Sequence, residues 1–370
     1  MKSISILAVM LAACTLGQAA NSKVYFGTGG NTAKGIYHAA FNPETGQLSK
    51  ATLAAEIGSP GFLALHPDKQ LLYAVGEFNG QAVVAGYRIN ASGALKQFTV
   101  SPIRDGKGTH IAVHASGRFL LTAQYAGGST ALFPLDSNGK LGKSVITKHG
   151  PGSNIVPSRQ SKAHPHWCGY SPDGCFAFVP DLGMDGIVIY KVDLEKPCII
   201  KHGFTASIPG GGPRHMRFSV DGKFIFLLNE MSLSVTTFKY EDRTGTARQL
   251  STTDSLSKEV KAKESFNSAA EIVVHPNGRF VYSSNRGNDS ITVYKVNPNT
   301  GHLTVTEVEP VRGAWPRNIN LDPSGRWLLA AGAHSNTISV YAINLSTGEL
   351  TFQRHGIINV PEPICILFVE

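Results

Sequence analysis

The sequence predicts an all-β chain folded as a single seven-bladed β-propeller, closed by pairing of its N- and C-terminal strands. Three observations carry this expectation. A unit of apolar strand, polar turn and second apolar strand recurs six times, with its turn position at Lys69, Gly117, Gly174, Gly222, Gly278 and Gly325. A second polar turn ending in glycine recurs between these units. The two chain ends each hold the half-unit that the other lacks. The roughly 50-residue interval between turns suits a four-stranded blade repeated around a ring.

Each element follows from local chemistry. Ser171-Pro-Asp-Gly174 and His275-Pro-Asn-Gly278 stand between apolar runs. Asp-Gly or Asn-Gly in that setting signals a hairpin, because glycine takes φ > 0 without a Cβ clash. The second signature is clearest at Asn42-Pro-Glu-Thr-Gly46, Asn297-Pro-Asn-Thr-Gly301 and Asn344-Leu-Ser-Thr-Gly348, with a degenerate copy at Val192 to Pro197. Val24 to Gly29 reads as a second strand without its first, and Pro363 to Val369 as a first strand without its second. Joined, they complete a seventh blade and leave no open sheet edge. The longer intervals place insertions at about 143–163 and 246–267, expected as loops on a face, the first overhanging the channel mouth. Residues 21–370 are expected as one propeller and residues 1–20 as a signal segment.

In that segment Lys2 precedes an apolar run, Ile4 to Ala13, which is too short to span a bilayer. Leu11-Ala-Ala-Cys14 resembles a lipoprotein signal that would leave Cys14 lipidated, whereas Gly17-Gln-Ala19 offers small residues to ordinary signal peptidase. Both readings send the protein out of the cytoplasm, to the periplasm or, through a lipid anchor at Cys14, to the cell envelope. The formal net charge of +8 comes from scattered Lys and Arg without a basic block. That distribution argues against nucleic acid and for a few arginines gathered around a small anion. Charged residues make up 16% of the chain and hydrophobic ones 42%, a composition unlike that of disordered or coiled-coil chains. Cys168, Cys175, Cys198 and Cys365 are too sparse for a disulfide framework and are read as small buried residues in strands, with oxidation of Cys168 and Cys175 left open. No Cys-x-x-Cys spacing indicates zinc, and no glycine-rich turn entering a helix indicates a dinucleotide. No metal or cofactor is expected.

In a blade the first strand lies innermost, and the Asp-Gly turn sends the chain back along the second. Residues equally far before and after that turn therefore meet at the opposite mouth of the channel. Eight residues before it stand Gly61, Thr109, His166, Arg214, Ala270 and Arg317; eight after it stand Glu77, Tyr125, Leu182, Glu230, Arg286 and Ala333. The composite blade adds Ile364 and Gly29. A repeat kept only for packing would fill equal slots alike. These instead hold His166, Arg214, Arg317, Glu77, Tyr125, Glu230 and Arg286, which points to a site at that mouth. Neither Glu230 nor His166 is expected to be needed for packing. His164 is read as a polar loop residue, and His66, His114 and His275, beside the turns, as structural. No Gly-x-Ser-x-Gly sequence supports a serine nucleophile.

Arg159-Gln160, His164-Pro-His166, Pro180-Asp-Leu-Gly183, Gly212-Pro-Arg-His215, Asn229-Glu230, Ser284-Asn-Arg-Gly287 and Trp315-Pro-Arg317 together give a chain that resembles the seven-bladed propeller lactonases over about residues 23–370. These include the propeller-type 6-phosphogluconolactonase of bacteria and the fungal carboxymuconate cyclising enzymes. The resemblance implies His166, Arg214, Glu230 and Arg286 as the catalytic set, the same four that the slots bring to one mouth. Arg317, Glu77, Tyr125 and His215 are expected as substrate contacts. Opening a lactone needs an activated water, a positive field for the oxyanion and a proton for the leaving oxygen. Glu230 is expected as base and His166 as acid, or the reverse, with Arg214 and Arg286 holding the oxyanion and a substrate carboxylate or phosphate. The expected function is hydrolysis of a sugar-derived or other anionic lactone, in the manner of a 6-phosphogluconolactonase. A carboxymuconate-type lactonising cyclase and a non-catalytic ligand-binding propeller are the alternatives. The expected partner is a small anionic lactone or carboxylate, and the protein is expected as a monomer or small homo-oligomer.

Overall fold

The structure, a computed structural model, describes residues 21–30 and 32–369. The proposed signal segment, with Cys14 and both cleavage sequences, lies outside the described residues. Seven antiparallel sheets are arranged as a β-propeller. Blade 1 is the composite one: Pro363–Val369 lies innermost, followed by Ser22–Thr28, Gly35–Phe41 and Thr52–Glu56. Its closing pair runs antiparallel, from Lys23 opposite Val369 to Thr28 opposite Pro363, as the unmatched half-units predict. Blades 2 to 7 follow in chain order, with innermost strands Gly58–Leu65, His110–Val113, Gly169–Tyr170, Pro213–Phe218, Ser268–Val274 and Pro316–Leu321. In blade 7 the short strand Ile358–Asn359 adds a second outer pairing.

Each sheet is covered on both faces by its neighbours, so the middle strands read as nearly continuous apolar runs. Phe119–Gln124 and Phe224–Asn229 are buried along their whole length, whereas the outer strand Cys198–Ala206 is largely exposed. The core is correspondingly divided among the blade interfaces. One cluster joins blades 6 and 7 through Tyr282, Leu328 and Tyr341, and another joins blades 1 and 2 through Tyr25, Leu72 and Cys365.

Opposite the mouth, the turn histidines clasp adjacent blades. The imidazole Nε2 of His66 donates to the Gly117 carbonyl at 3.1 Å, His114 to Gly174 at 3.1 Å and His275 to Gly325 at 2.8 Å. Each acceptor is the turn glycine of the next blade, where φ is +67° to +73°.

Two expectations need correction. Much of the segment 246–267 is regular structure: Thr246–Asp254 is the outer strand of blade 5, and only the residues after it, with the one-turn helix Lys258–Lys261, form a loop. Similarly, Val145–Lys148 within 143–163 is the outer strand of blade 3. Outer strands are polar and half-exposed, so they carry little apolar pattern to be read. The four cysteines among the described residues are free; Cys168 and Cys365 are buried, but Cys175 is exposed beside its turn rather than packed. Among the described residues no helix is long and apolar enough to cross a membrane.

Candidate active site

The mouth is built by register breaks. In five innermost strands the slot residue before the turn falls where pairing with the second strand skips. Gly61 lies between Gly58 and Phe62, Arg214 between Pro213 and His215, Ala270 between Ala269 and Ile272, Arg317 between Pro316 and Asn318, and Ile364 between Pro363 and Cys365. A bulge kinks a strand and re-aims a side chain, and here Arg214 and Arg317 both line the central cavity. The residues after the turn are held differently. Asn229, buried at the end of its strand, donates from Nδ2 to Ser234 Oγ at 3.1 Å and Thr236 Oγ1 at 2.9 Å. Asn285 repeats this in blade 6 with Ser290 and Thr292, at 3.0 and 2.9 Å. The neighbours fixed by these anchors are Glu230 and Arg286.

Glu230 sits at the centre of the charge. Its Oε1 accepts from Arg159 Nη2 at 2.8 Å, and its Oε2 accepts from Arg214 Nε at 2.9 Å and lies 3.4 Å from Arg286 Nη2. Burial alone would raise the pKa of this carboxyl, but the charges of Arg286 and Arg214 outweigh it and hold the group well below the ordinary carboxylate range. Four guanidiniums, Arg159, Arg214, Arg286 and Arg317, thus gather around one carboxylate. The Arg317 side chain makes no ion pair or hydrogen bond among the described residues. Burial, then the nearby charge of Arg214, lowers Arg286 to about 9 and Arg317 to about 10. An anion entering here offsets the repulsion among Arg214, Arg286 and Arg317, which Glu230 alone does not balance.

His166 faces this cluster. It is buried, its Nδ1 has no hydrogen-bond partner, and Tyr125 lies edge-on to it with ring centroids 5.5 Å apart. Burial, with Arg214 and His215 adding their repulsion, pushes its pKa well below the ordinary histidine value, so the imidazole is neutral. His164 stacks on Tyr125 at 4.3 Å and donates from Nδ1 to the Tyr125 carbonyl at 2.8 Å. That contact ties the loop before blade 4 to Tyr125 of blade 3. Two adjoining cavities, of about 210 and 310 Å³, share Thr109, His166 and Arg317. Arg214 and His215 line the first, and Tyr125, Arg159, Glu230 and Arg286 the second.

Seven of the eight expected site residues therefore meet around one space. Glu77 is the exception. It lines neither cavity; its carboxylate is taken by Lys107 Nζ at 2.8 Å. The wide break in its blade sets Glu77 opposite Gly58 rather than Gly61, so equal counting from the turn misplaces it.

Two further residues were absent from the expected set. Arg159 rides on the one-turn helix Pro157–Gln160 of the overhanging insertion, which Gln160 pins by donating to the Leu182 carbonyl at 2.9 Å and accepting from Val156 N at 3.0 Å. Glu271 is fully buried, one position past a slot. It accepts from His215 Nδ1 at 2.9 Å, Arg217 Nη2 at 3.0 Å and Asn318 Nδ2 at 2.7 Å, tying blades 5, 6 and 7. Its signal was a lone carboxylate in an otherwise apolar innermost strand, Ser268–Val274. Among the described residues no cluster suited to a metal ion occurs.

A propeller whose channel mouth holds buried arginines, one carboxylate and a neutral imidazole is equipped for polar chemistry on a small anion. Comparison with known proteins identifies the family: residues 23–368 match the family described as lactonase, 7-bladed beta-propeller. The chain belongs to this family of lactone-opening enzymes. It is similar to proteins named 6-phosphogluconolactonase from Bacillus subtilis (31% identical, covering 78% of this chain and 82% of the relative) and Formosa agariphila (33%, covering 78% and 82%). Among solved structures it resembles the periplasmic gluconolactonase PpgL of Pseudomonas aeruginosa, with a TM-score of 0.87 at 28% identity over 95% of this chain and 99% of that one. A protein from Lactobacillus plantarum superposes with a TM-score of 0.88 at 27% identity, covering 95% and 100%.

Proposed function

We propose that this chain hydrolyses an anionic, sugar-derived lactone of the 6-phosphogluconolactone kind at the arginine-lined mouth. The observation that carries the reading is the excess of guanidiniums over carboxylate around this cavity, with the Arg317 side chain unpartnered and a neutral His166 beside it. The relatives named 6-phosphogluconolactonase and gluconolactonase support the substrate class.

The geometry redistributes the roles. A carboxylate shared by three arginines is a poor base and, being ionised, no acid. Glu230 instead anchors Arg159, Arg214 and Arg286. His166 takes the proton of the attacking water; the pair left on the water oxygen forms the bond to the lactone carbonyl carbon, and the carbonyl π pair moves onto the carbonyl oxygen. Arg286 and Arg214 stabilise that oxyanion. When it collapses, the bond to the ring oxygen breaks and the imidazolium returns its proton there. Arg317 and Arg159 hold the anionic group of the substrate, and Tyr125 and His215 complete the walls.

The test is lactone hydrolysis by the purified mature protein. His166→Ala is expected to lose ~10²–10⁴-fold in rate, as for removal of a catalytic acid–base group. Arg214→Lys should also fail, because an ammonium cannot reproduce the planar fork. Arg118→Ala and Arg279→Ala, at the turn face, should keep their rate. Full activity in the mouth variants would overturn the reading, and formation of lactone from an unsaturated dicarboxylate would favour the cyclase. Export of the chain through residues 1–20 is part of the same proposal, supported by the periplasmic assignment in the name of PpgL. Fatty-acid labelling of cells decides between a lipidated Cys14 and cleavage after Ala19, and a mature protein that retains Met1 contradicts both.

A further inference from the structure

Beside the arginine cluster lies a third cavity of about 510 Å³, larger than either of the other two. Arg317 lines all three, and Gly29 and Ile364 line both this one and the central cavity. His166, Glu230 and Arg286 do not line it, so it adjoins the reacting centre without being part of it. One wall is aromatic. The Trp315 ring lies nearly parallel to His334, with centroids 4.6 Å apart and planes 10° apart, and to Phe266 at 5.7 Å and 18°. The Arg286 guanidinium carbon stands 5.4 Å from the Trp315 centroid.

The backbone at Trp315 is costly. Its φ is +62°, in the left-handed region that suits glycine and disfavours bulky side chains. Hydrogen bonds from both sides hold it there: Trp315 N donates to Asp289 Oδ1 at 2.9 Å, and Ala333 N donates to the Trp315 carbonyl at 3.1 Å. Glycine would satisfy that backbone more cheaply, and the indole that stands there instead carries the aromatic wall of the cavity. The polar lining is of a different kind from the neighbouring site. Glu362 supplies a carboxylate, fixed by Thr32 Oγ1 at 2.7 Å and, at its backbone N, by Asn336 Oδ1 at 2.8 Å. A carboxylate disfavours an anion and accepts hydroxyl hydrogens.

We infer that this cavity is a second binding subsite, for a neutral hydroxylated ring joined to the lactone, so that a lactone carrying a second sugar is preferred over the same lactone without it. The apolar face of a sugar ring rests against the Trp315–His334 platform, its hydroxyls meet Glu362 and Asn336, and Arg317 marks the junction with the lactone. The inference rests on the lactonase reading of the adjoining site.

The experiment compares kcat/KM for glucono-1,5-lactone with those for cellobiono-1,5-lactone and melibiono-1,5-lactone, which carry a second sugar on O4 and O6. At least one glycosylated lactone is expected to exceed gluconolactone by ~10-fold, the equivalent of ~1.4 kcal/mol. That ratio should fall toward one in Trp315→Ala and in His334→Ala, the latter an exposed position where folding is not at risk. Ratios at or below one in the wild type overturn the subsite and leave the lactonase reading standing. If neither these lactones nor 6-phosphoglucono-1,5-lactone is turned over, the lactonase reading fails instead, and calorimetric titration with cellobiose and melibiose then decides the subsite. Saturable binding of either, weakened in His334→Ala, supports it; absence of binding by both overturns it.

Discussion

The two faces of this propeller are built from the same repeat and use it in opposite ways. At the turn face, equivalent positions do equivalent work. His66, His114 and His275 each reach the turn glycine of the following blade, and Tyr25, Tyr73 and Tyr282 each donate to a glycine carbonyl of an outer turn, Gly93, Gly139 and Gly348. At the mouth, equivalent positions hold a histidine, arginines, a glutamate, small residues and a leucine, and the contacts converge on Glu230 rather than repeating from blade to blade. Repetition marks what closes the ring, and its breakdown marks where a ligand is met. The largest departure from repeat geometry, a buried guanidinium cluster around Glu230, also carries the greatest energetic risk.

The first way to sharpen the comparison is Glu230→Gln. The amide keeps the shape but removes the charge, leaving Arg159, Arg214 and Arg286 crowded without a counter-ion. Breaking a buried ion pair from one side typically costs ~3–5 kcal/mol, so both activity and melting temperature should fall. This differs from the expectation that neither mouth glutamate nor mouth histidine matters to stability: the slot count locates Glu230 but cannot show its three cationic partners. His166→Ala should lose activity with far less loss of stability, because its Nδ1 has no partner to forfeit. Equal melting temperatures for Glu230→Gln and wild type would mean that the arginines are compensated by something other than Glu230.

How much of this was legible in the sequence follows from the same contrast. Periodic features were readable because they recur: the turn glycines, the apolar strands and the complementary chain ends give the fold and its closure directly. Slot counting also brought His166, Arg214, Glu230, Arg286, Arg317 and Tyr125 to one mouth. It failed where the chain leaves the repeat. Glu77 was misplaced because the break after Gly58 spans several residues. Arg159 stands in the insertion expected to overhang the mouth, but an insertion outside the repeat offers no slot from which to place its side chain, so the count does not bring it to Glu230. Glu271 escaped because it lies one position beyond the slot, within a bulge that changes which residues face inward.

Acid should separate the faces next. His110, His166 and His215 are all buried near the channel, and burial, reinforced by neighbouring arginines or histidines, places each pKa well below the ordinary value. In the unfolded chain they titrate near 6.5. Their neutral burial therefore carries no penalty above that pH, and stability is lost as pH falls below it, where only the unfolded state takes up protons. The slope is at most ~1.4 kcal/mol per pH unit for each histidine. The Glu230 contribution has the same sign: it is present above the ordinary carboxylate range and is lost as pH falls below it. Thermal melts between pH 7.5 and 4.5 should show a steepening decline, shallower in His110→Phe, which removes one titrating group. A flat profile would mean that the channel imidazoles take up protons as readily in the fold as outside it.

The smallest effect is expected at the turn face. His66→Ala removes one side-chain hydrogen bond to the Gly117 carbonyl, at a half-buried position where water can replace the donor. A neutral hydrogen bond of this kind is worth ~0.5–1.5 kcal/mol net. His275→Ala should cost more, because its 2.8 Å bond to Gly325 is buried and the acceptor loses its partner without gaining solvent. The two clasps lie at different blade junctions, 2–3 and 6–7, and share no partner, so their costs should add in the double variant. Denaturant titration of the three variants measures this, and lactone hydrolysis by the same samples should match wild type. A cost in the double variant well above the sum would show the ring opening as one cooperative unit, with each clasp supporting the others through the closed circle. Loss of turnover in a variant that remains folded would instead place chemistry on the repeating face, and the division between a face that closes the ring and a face that meets the ligand would not hold.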